Sequence, residues 1–190
     1  PHVKAGLGLS DAALGTALFG APLGSVIATL ASHWALPRWG SHRLVPVTAA
    51  GYALAGTGVG LARSGPWLFA ALAVWGMFQG GLDVAMNTQA GTVERRARAP
   101  IMARFHGMWS LGALLGALIG AACVAAGVGL TPQLAVVGLV MLIVVLAPAR
   151  GLIPEPAAAA PPRRGSGRAR MTPAVAILAA VAFVSVLCEG

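Results

Sequence analysis

Charge is scarce in this chain. Of 190 residues only 5 are Asp or Glu and 13 are Lys or Arg, a charged share of 9% against a hydrophobic share of 57%. A soluble domain carries about 25% charge, and so few charged groups cannot cover the surface of a soluble fold. Cysteine is nearly absent as well. Cys123 and Cys188 both sit in apolar stretches without metal-ligand spacing, which excludes a disulfide framework and a zinc site. No HExxH, GxSxG or phosphate-loop motif occurs, so the sequence gives an enzyme no support. The net charge of +8 does not indicate nucleic acid, because the basic residues lie in short clusters between long apolar runs. At the N-terminus there is no initiator Met, basic n-region or cleavable signal. The expectation is a piece of a longer protein, with one span before Pro1.

What is present is hydrocarbon in lengths that suit a bilayer. About 20 apolar residues of helix cross a core about 30 Å thick. Five spans are expected, at 14–36, 44–62, 67–93, 105–127 and 132–147, and a sixth begins at 173. Positions 105–149 contain no charged residue; the turn signal from Gly127 to Pro132 divides them into two spans. Thr131-Pro132 and Thr172-Pro173 read as N-caps followed by Pro at the first helical position, and Pro22 predicts a kink in the first span. Eleven of the 13 basic residues fall in alternate loops: Arg38 and Arg43, then Arg95, Arg96, Arg98 and Arg104, then Arg150, Arg163, Arg164, Arg168 and Arg170. By the positive-inside rule these loops are cytoplasmic. The third, from 148 to 172, is rich in Pro, Ala, Gly and Arg and reads as a flexible linker between two helical bundles.

Glycines four residues apart line single helix faces at Gly20/Gly24, Gly56/Gly60, Gly76/Gly80 and Gly112/Gly116/Gly120. Such faces let helix backbones approach closely, and packing is expected above all for the triple series. Trp34, Trp39 and Trp67 fall near span ends, where indoles anchor at the interface; Trp75 and Trp109 lie deeper.

Asp83 stands near the middle of the third span. A carboxylate at that depth costs about 2.5–3.5 kcal/mol on insertion scales, so it is expected to face a bundle interior or a watery cavity. Gln79 and Asn87 flank it at four-residue spacing and share its side of the helix. Asp83 reads either as a proton-binding group coupled to solute movement or as a structural acid paired with a basic residue on a neighbouring helix. His106 opens the fourth span as a gate or relay member, or as an interfacial histidine, and Glu189 in the last apolar run is a further candidate acid. Glu94, among Arg95, Arg96 and Arg98, is expected to join a cytoplasmic charge cluster.

These residues carry a resemblance. The run Leu82-Asp-Val-Ala-Met-Asn87, an Arg-bearing loop, and Phe105-His-Gly-Met-Trp-Ser-Leu-Gly-Ala113 resemble the fourth and fifth helices of the major facilitator superfamily. The similarity is greatest to its fucose-permease-like branch and related bacterial inner-membrane permeases. Arg38-Trp-Gly-Ser-His-Arg43 resembles the end of the signature loop between helices two and three, with Arg38, Gly40 and Arg43 in place, Pro37 standing where the family has an acid and His42 at one basic position. The chain would then hold helices two to six and the start of seven.

The resemblance implies an all-α, polytopic membrane bundle of the major facilitator type, incomplete here. Residues 1–147 would be most of the N-terminal bundle, 148–172 the linker and 173–190 the start of the C-terminal bundle. It also implies alternating access around a midplane site. The expected activity is secondary transport of a small organic solute, coupled to protons at Asp83, with Gln79, Asn87 and Trp109 lining the cavity. The partners are that solute, protons and the lipid bilayer of a bacterial inner membrane, with no nucleic acid, metal or cofactor. A non-transporting membrane scaffold and a membrane-embedded enzyme using Asp83 and His106 are the alternatives.

Overall fold

The computed structural model describes residues 2–154, and within them every regular element is helical. In order these are α1 (His2–Leu7), α2 (Asp11–Leu18), α3 (Gly20–Trp39), α4 (Ser41–Gly60), α5 (Gly65–Ala97), α6 (Met102–Ala125), α7 (Leu130–Leu146) and a 3-10 turn at Ala149–Gly151. Among the described residues four segments are long and apolar enough to cross a membrane: Asp11–Trp39, Gly65–Ala97, Met102–Ala125 and Leu130–Gly151. The fold is an all-α membrane bundle. The linker from 155 onward, the span expected from 173, Thr172-Pro173, Cys188 and Glu189 lie outside the described residues.

Local chemistry sets the boundaries. Ser10 caps α2, its Oγ accepting from the Ala13 N–H at 3.2 Å, and Asp11 in the first turn complements the helix dipole. The kink expected from Pro22 is a break at Phe19, between α2 and α3. The proline ring excludes the carbonyl four residues back, that of Leu18, and Pro22 then sits in the first turn of α3, where a missing N–H costs little. Gly40, at φ 71°, turns α3 directly into α4. Ser64 caps α5 by accepting from the Trp67 N–H at 3.3 Å, with Pro66 in the first turn.

The span expected at 44–62 forms α4, yet it is not one of the four described segments apolar enough to cross a membrane. It carries Ser41, His42, Arg43, Thr48 and Thr57. Packed on both α5 and α7, it buries Ser41, Val45, Ala49, Ala53 and Gly56, so much of its surface meets protein and needs less hydrocarbon. The expected Thr131 cap is replaced: α7 starts at Leu130 behind Gly129, and the Thr131 hydroxyl donates to the Gly60 carbonyl at 2.7 Å. Gly60 ends α4, where carbonyls lack intrahelical donors, so the hydroxyl is spent across the interface.

Two glycine pairs interlock α3 and α5. A Cβ on Gly20 would run into the Phe69 carbonyl oxygen, one on Gly24 into that of Ala73, one on Gly76 into that of Ala21 and one on Gly80 into that of Ser25. None of these positions has room for a methyl group. The paired numbers rise together, so α3 and α5 run parallel. Thr48 lies against Gly81, Gly51 against Phe78 and Gly56 against Trp75, so α4 is antiparallel to α5. Gly60 against Thr131 and Ala53 against Gly138 set α7 antiparallel to α4 in turn. Two apolar clusters fill the contacts. Ala17, Leu68 and Leu72 pack near the α4–α5 turn, and Val45, Ala49, Leu82 and Ala85 pack toward the arginine-rich end.

The triple series behaves differently. A Cβ on Gly112, Gly116 or Gly120 would meet nothing within 4 Å, and α6 has no buried residue. The packing expected there has no partner among the described residues, because α6 stands clear of the α3–α4–α5–α7 group.

Candidate functional site

Helix α5 changes its buried face along its length. Leu68, Leu72, Gly76 and Gly80 are buried along one face of its first half, and Leu82, Ala85, Gln89 and Thr92 along the opposite face of its second half. Gln79, Asp83 and Asn87 are all exposed, along the side that the second half of the helix leaves open. The sequence places the three on one stripe, and the structure keeps them there. Asn87 Nδ2 donates to the backbone carbonyl of Asp83 at 2.9 Å and to its carboxylate Oδ1 at 3.0 Å. The expected interior position is not what the described residues provide. The three side chains stay exposed even though Gly76, which seats against α3, lies seven residues before Asp83 and so on nearly the same face of α5, while the residues that meet α4 lie on the other face.

The remaining candidates are spread along the chain. Trp109 and His106 lie exposed on α6, and no hydrogen bond, ion pair or ring contact joins either to Asp83 among the described residues. Trp75 stacks on Tyr52 with ring centroids 4.9 Å apart, which makes it a packing residue between α4 and α5. Arg38 folds back on its own helix: its guanidinium lies 4.1 Å from the Trp34 ring centroid and donates to the Trp34 carbonyl at 2.9 Å. Arg43 is exposed, and Gly40 makes the turn between them. No cluster of three or more His, Cys, Asp or Glu side chains occurs among the described residues.

Two features escape the sequence. Glu94 does not pair with the neighbouring arginines. Its Oε2 accepts from the backbone N–H groups of Ile101 at 2.9 Å and Met102 at 2.7 Å, capping α6. Arg98, at φ 51°, makes the left-handed turn that brings those amides back over Glu94. The amides at a helix start carry positive charge and lack partners, and they attract the carboxylate at short range. Arg95 donates instead to Thr92 Oγ1 at 2.8 Å. The second feature is a buried amide: Gln89 Nε2 donates to Ser41 Oγ and to the Ile153 carbonyl, each at 3.1 Å. The signals available were a polar residue in line with Leu82 and Ala85 on α5 and an acid eight residues before a helix start.

The profile of the Major Facilitator Superfamily matches residues 1–188. The chain is 33% identical over 146 residues to a Yersinia pestis protein named as an uncharacterized MFS-type transporter, covering 77% of this chain and 38% of that protein. It is 34% identical over 117 residues to a protein of Sinorhizobium fredii named as an uncharacterized transporter, covering 62% of this chain and 31% of that protein. The matched stretches thus span a little over a third and a little under a third of these relatives' own lengths. No solved structure matches the chain significantly.

Proposed function

The chain belongs to the Major Facilitator Superfamily, and from that premise we propose that it is part of a proton-coupled secondary transporter for a small, polar organic solute. The observation that carries the proposal is an acid and an amide hydrogen-bonded to each other on the open side of α5, within a 33-residue helix apolar enough to cross a membrane. A lipid-facing carboxylate is costly, so an exposed stripe of Gln79, Asp83 and Asn87 marks a watery path. Asp83 takes up and releases the proton. Asn87, with a donor and an acceptor on one amide, can pair with Asp83 in either protonation state. Gln79 extends the polar lining, and Trp109 and His106 of α6 join it when the bundle closes.

Alternating access follows from rocking of this bundle against a second one, with the solute bound between them. The arginine-rich loops lie in the cytoplasm of a bacterium, in whose inner membrane the protein resides. The linker runs from 148 to 172 and leads into the second bundle at 173. The branch is the fucose-permease-like one.

The test is transport by the full-length protein in proteoliposomes, with and without an imposed pH gradient, across a panel of labelled sugars and small carboxylates. Gradient-driven uptake should be lost in Asp83→Asn, while exchange of internal for external solute persists. Unchanged gradient-driven uptake in the variant would sink the coupling role.

A further inference from the structure

We propose that Gln89 is a latch that holds the chain leaving α7 against the ends of α4 and α5, and that it opens when those ends part during transport. The second half rests on the transporter proposed above. Gln89 is only 6% exposed, and both of its N–H groups are committed, to Ser41 Oγ and to the Ile153 carbonyl. Residues 48 and 64 positions apart in sequence thereby meet at one buried amide.

The hook is polar and its foot is apolar. Leu152, next to the tethered carbonyl, packs on the cluster of Val45, Ala49, Leu82 and Ala85. The α3–α4 turn at Gly40 places Ser41 fully buried beneath the hook. The strap itself is one 3-10 turn, in which the Gly151 and Leu152 N–H groups donate to the carbonyls of Pro148 and Ala149 at 2.8 and 3.2 Å. Three elements are thus tied at the arginine-rich end: the start of α4, the last third of α5 and the exit of α7.

Two details make this tether releasable. Gln89 Oε1 is buried and has no hydrogen-bond partner among the described residues. An amide satisfied only on its nitrogen carries an uncompensated cost in the closed state, which keeps an open state within reach. A single neutral hydrogen bond shifts such an equilibrium roughly two- to tenfold, enough to bias it and too little to lock it. The other detail is position. Leu82 and Ala85 form the floor under Leu152, and Asp83, between them in sequence, faces the open side of the same helix turn. A displacement of α5 at Asp83 therefore moves the floor of the strap. Gln89 acts through that floor as a positioning residue and touches no solute.

Hydrogen–deuterium exchange of the full-length protein in lipid nanodiscs tests this at the Gly151 and Leu152 amides. Gln89→Leu should speed their exchange roughly two- to tenfold while 130–146 in α7 stay as in wild type. Leu152→Ala removes the foot without disturbing the amide; it should speed Gly151 in the same way and covers the case in which Gln89→Leu does not fold. Asp83→Asn, a mimic of the protonated acid, should change exchange at the same two amides by twofold or more. Unaltered exchange in the folded Gln89 or Leu152 variant overturns the latch. A Gln89 effect with no Asp83 effect overturns its coupling to α5. Failure of gradient-driven flux with both exchange effects intact strikes the transporter proposal, and with it opening during transport, while the tether stands.

Discussion

Asn87 donates twice to Asp83, to its backbone carbonyl at 2.9 Å and to its carboxylate at 3.0 Å. The first bond fixes the amide against its own helix, and the second then holds the carboxylate in one rotamer on the open side of α5. An acid positioned in this way is preorganised, because the cost of orienting it is met by a neighbour one turn away.

Replacing the partner should therefore damage coupling more than folding. Asn87→Ala removes a hydrogen bond to a charged group at an exposed position, worth about 1 kcal/mol there, and should cut gradient-driven flux roughly fivefold. Thermal unfolding should move little. Flux measured against unfolding temperature for the same preparations separates the two effects, and an equal loss in both would assign Asn87 a structural role only.

The glycine interlock predicts a contrast between positions of identical residue type. Gly76→Ala drives a methyl group into the Ala21 carbonyl of α3, whereas Gly112→Ala places one where nothing lies within 4 Å. The first should cost about 1–3 kcal/mol as an overpacking change. The second should stay within about 0.5 kcal/mol in the chain as described, like other substitutions away from contacts. Unfolding of the two variants in detergent gives the comparison, and equal destabilisation would contradict the interlock.

The start of α6 offers a third measurement. Glu94→Ala strips both capping bonds from Ile101 and Met102 and should cost about 1–2 kcal/mol. Glu94→Gln keeps an acceptor and loses the charge, so it should retain about half of that. Amide exchange at Met102, whose N–H the carboxylate holds directly, should accelerate in the order wild type, Gln, Ala. No acceleration at Met102 would mean that the cap is not populated in solution.

Much of the fold could be read from residue spacing, because membrane helices advertise themselves by length and hydropathy. The break near Pro22, the turn after Gly127 and the Gly20/Gly24 and Gly76/Gly80 faces all follow from local stereochemistry. The stripe of Gln79, Asp83 and Asn87 is likewise a property of one helix. What sequence could not supply was the identity of partners distant along the chain. Spacing does not say that Gly24 seats on Ala73 while Gly116 seats on nothing described. The role of Glu94 depends on a left-handed residue, Arg98, that carries no glycine signature. Gln89 was invisible because its bonds run to residues 48 and 64 positions away.

The parallel seating of α3 on α5 has a mechanical consequence. Its contacts repeat every four residues, about 6 Å of helix rise. A slip of one residue, about 1.5 Å, would set side chains of α3 against the backbone of α5 where a hydrogen atom now fits. Small sliding is therefore blocked, and the next commensurate register is a full step away. The acid-bearing helix and its neighbour are meshed like a toothed rail, so a displacement of either would carry the other, and Asp83 with them.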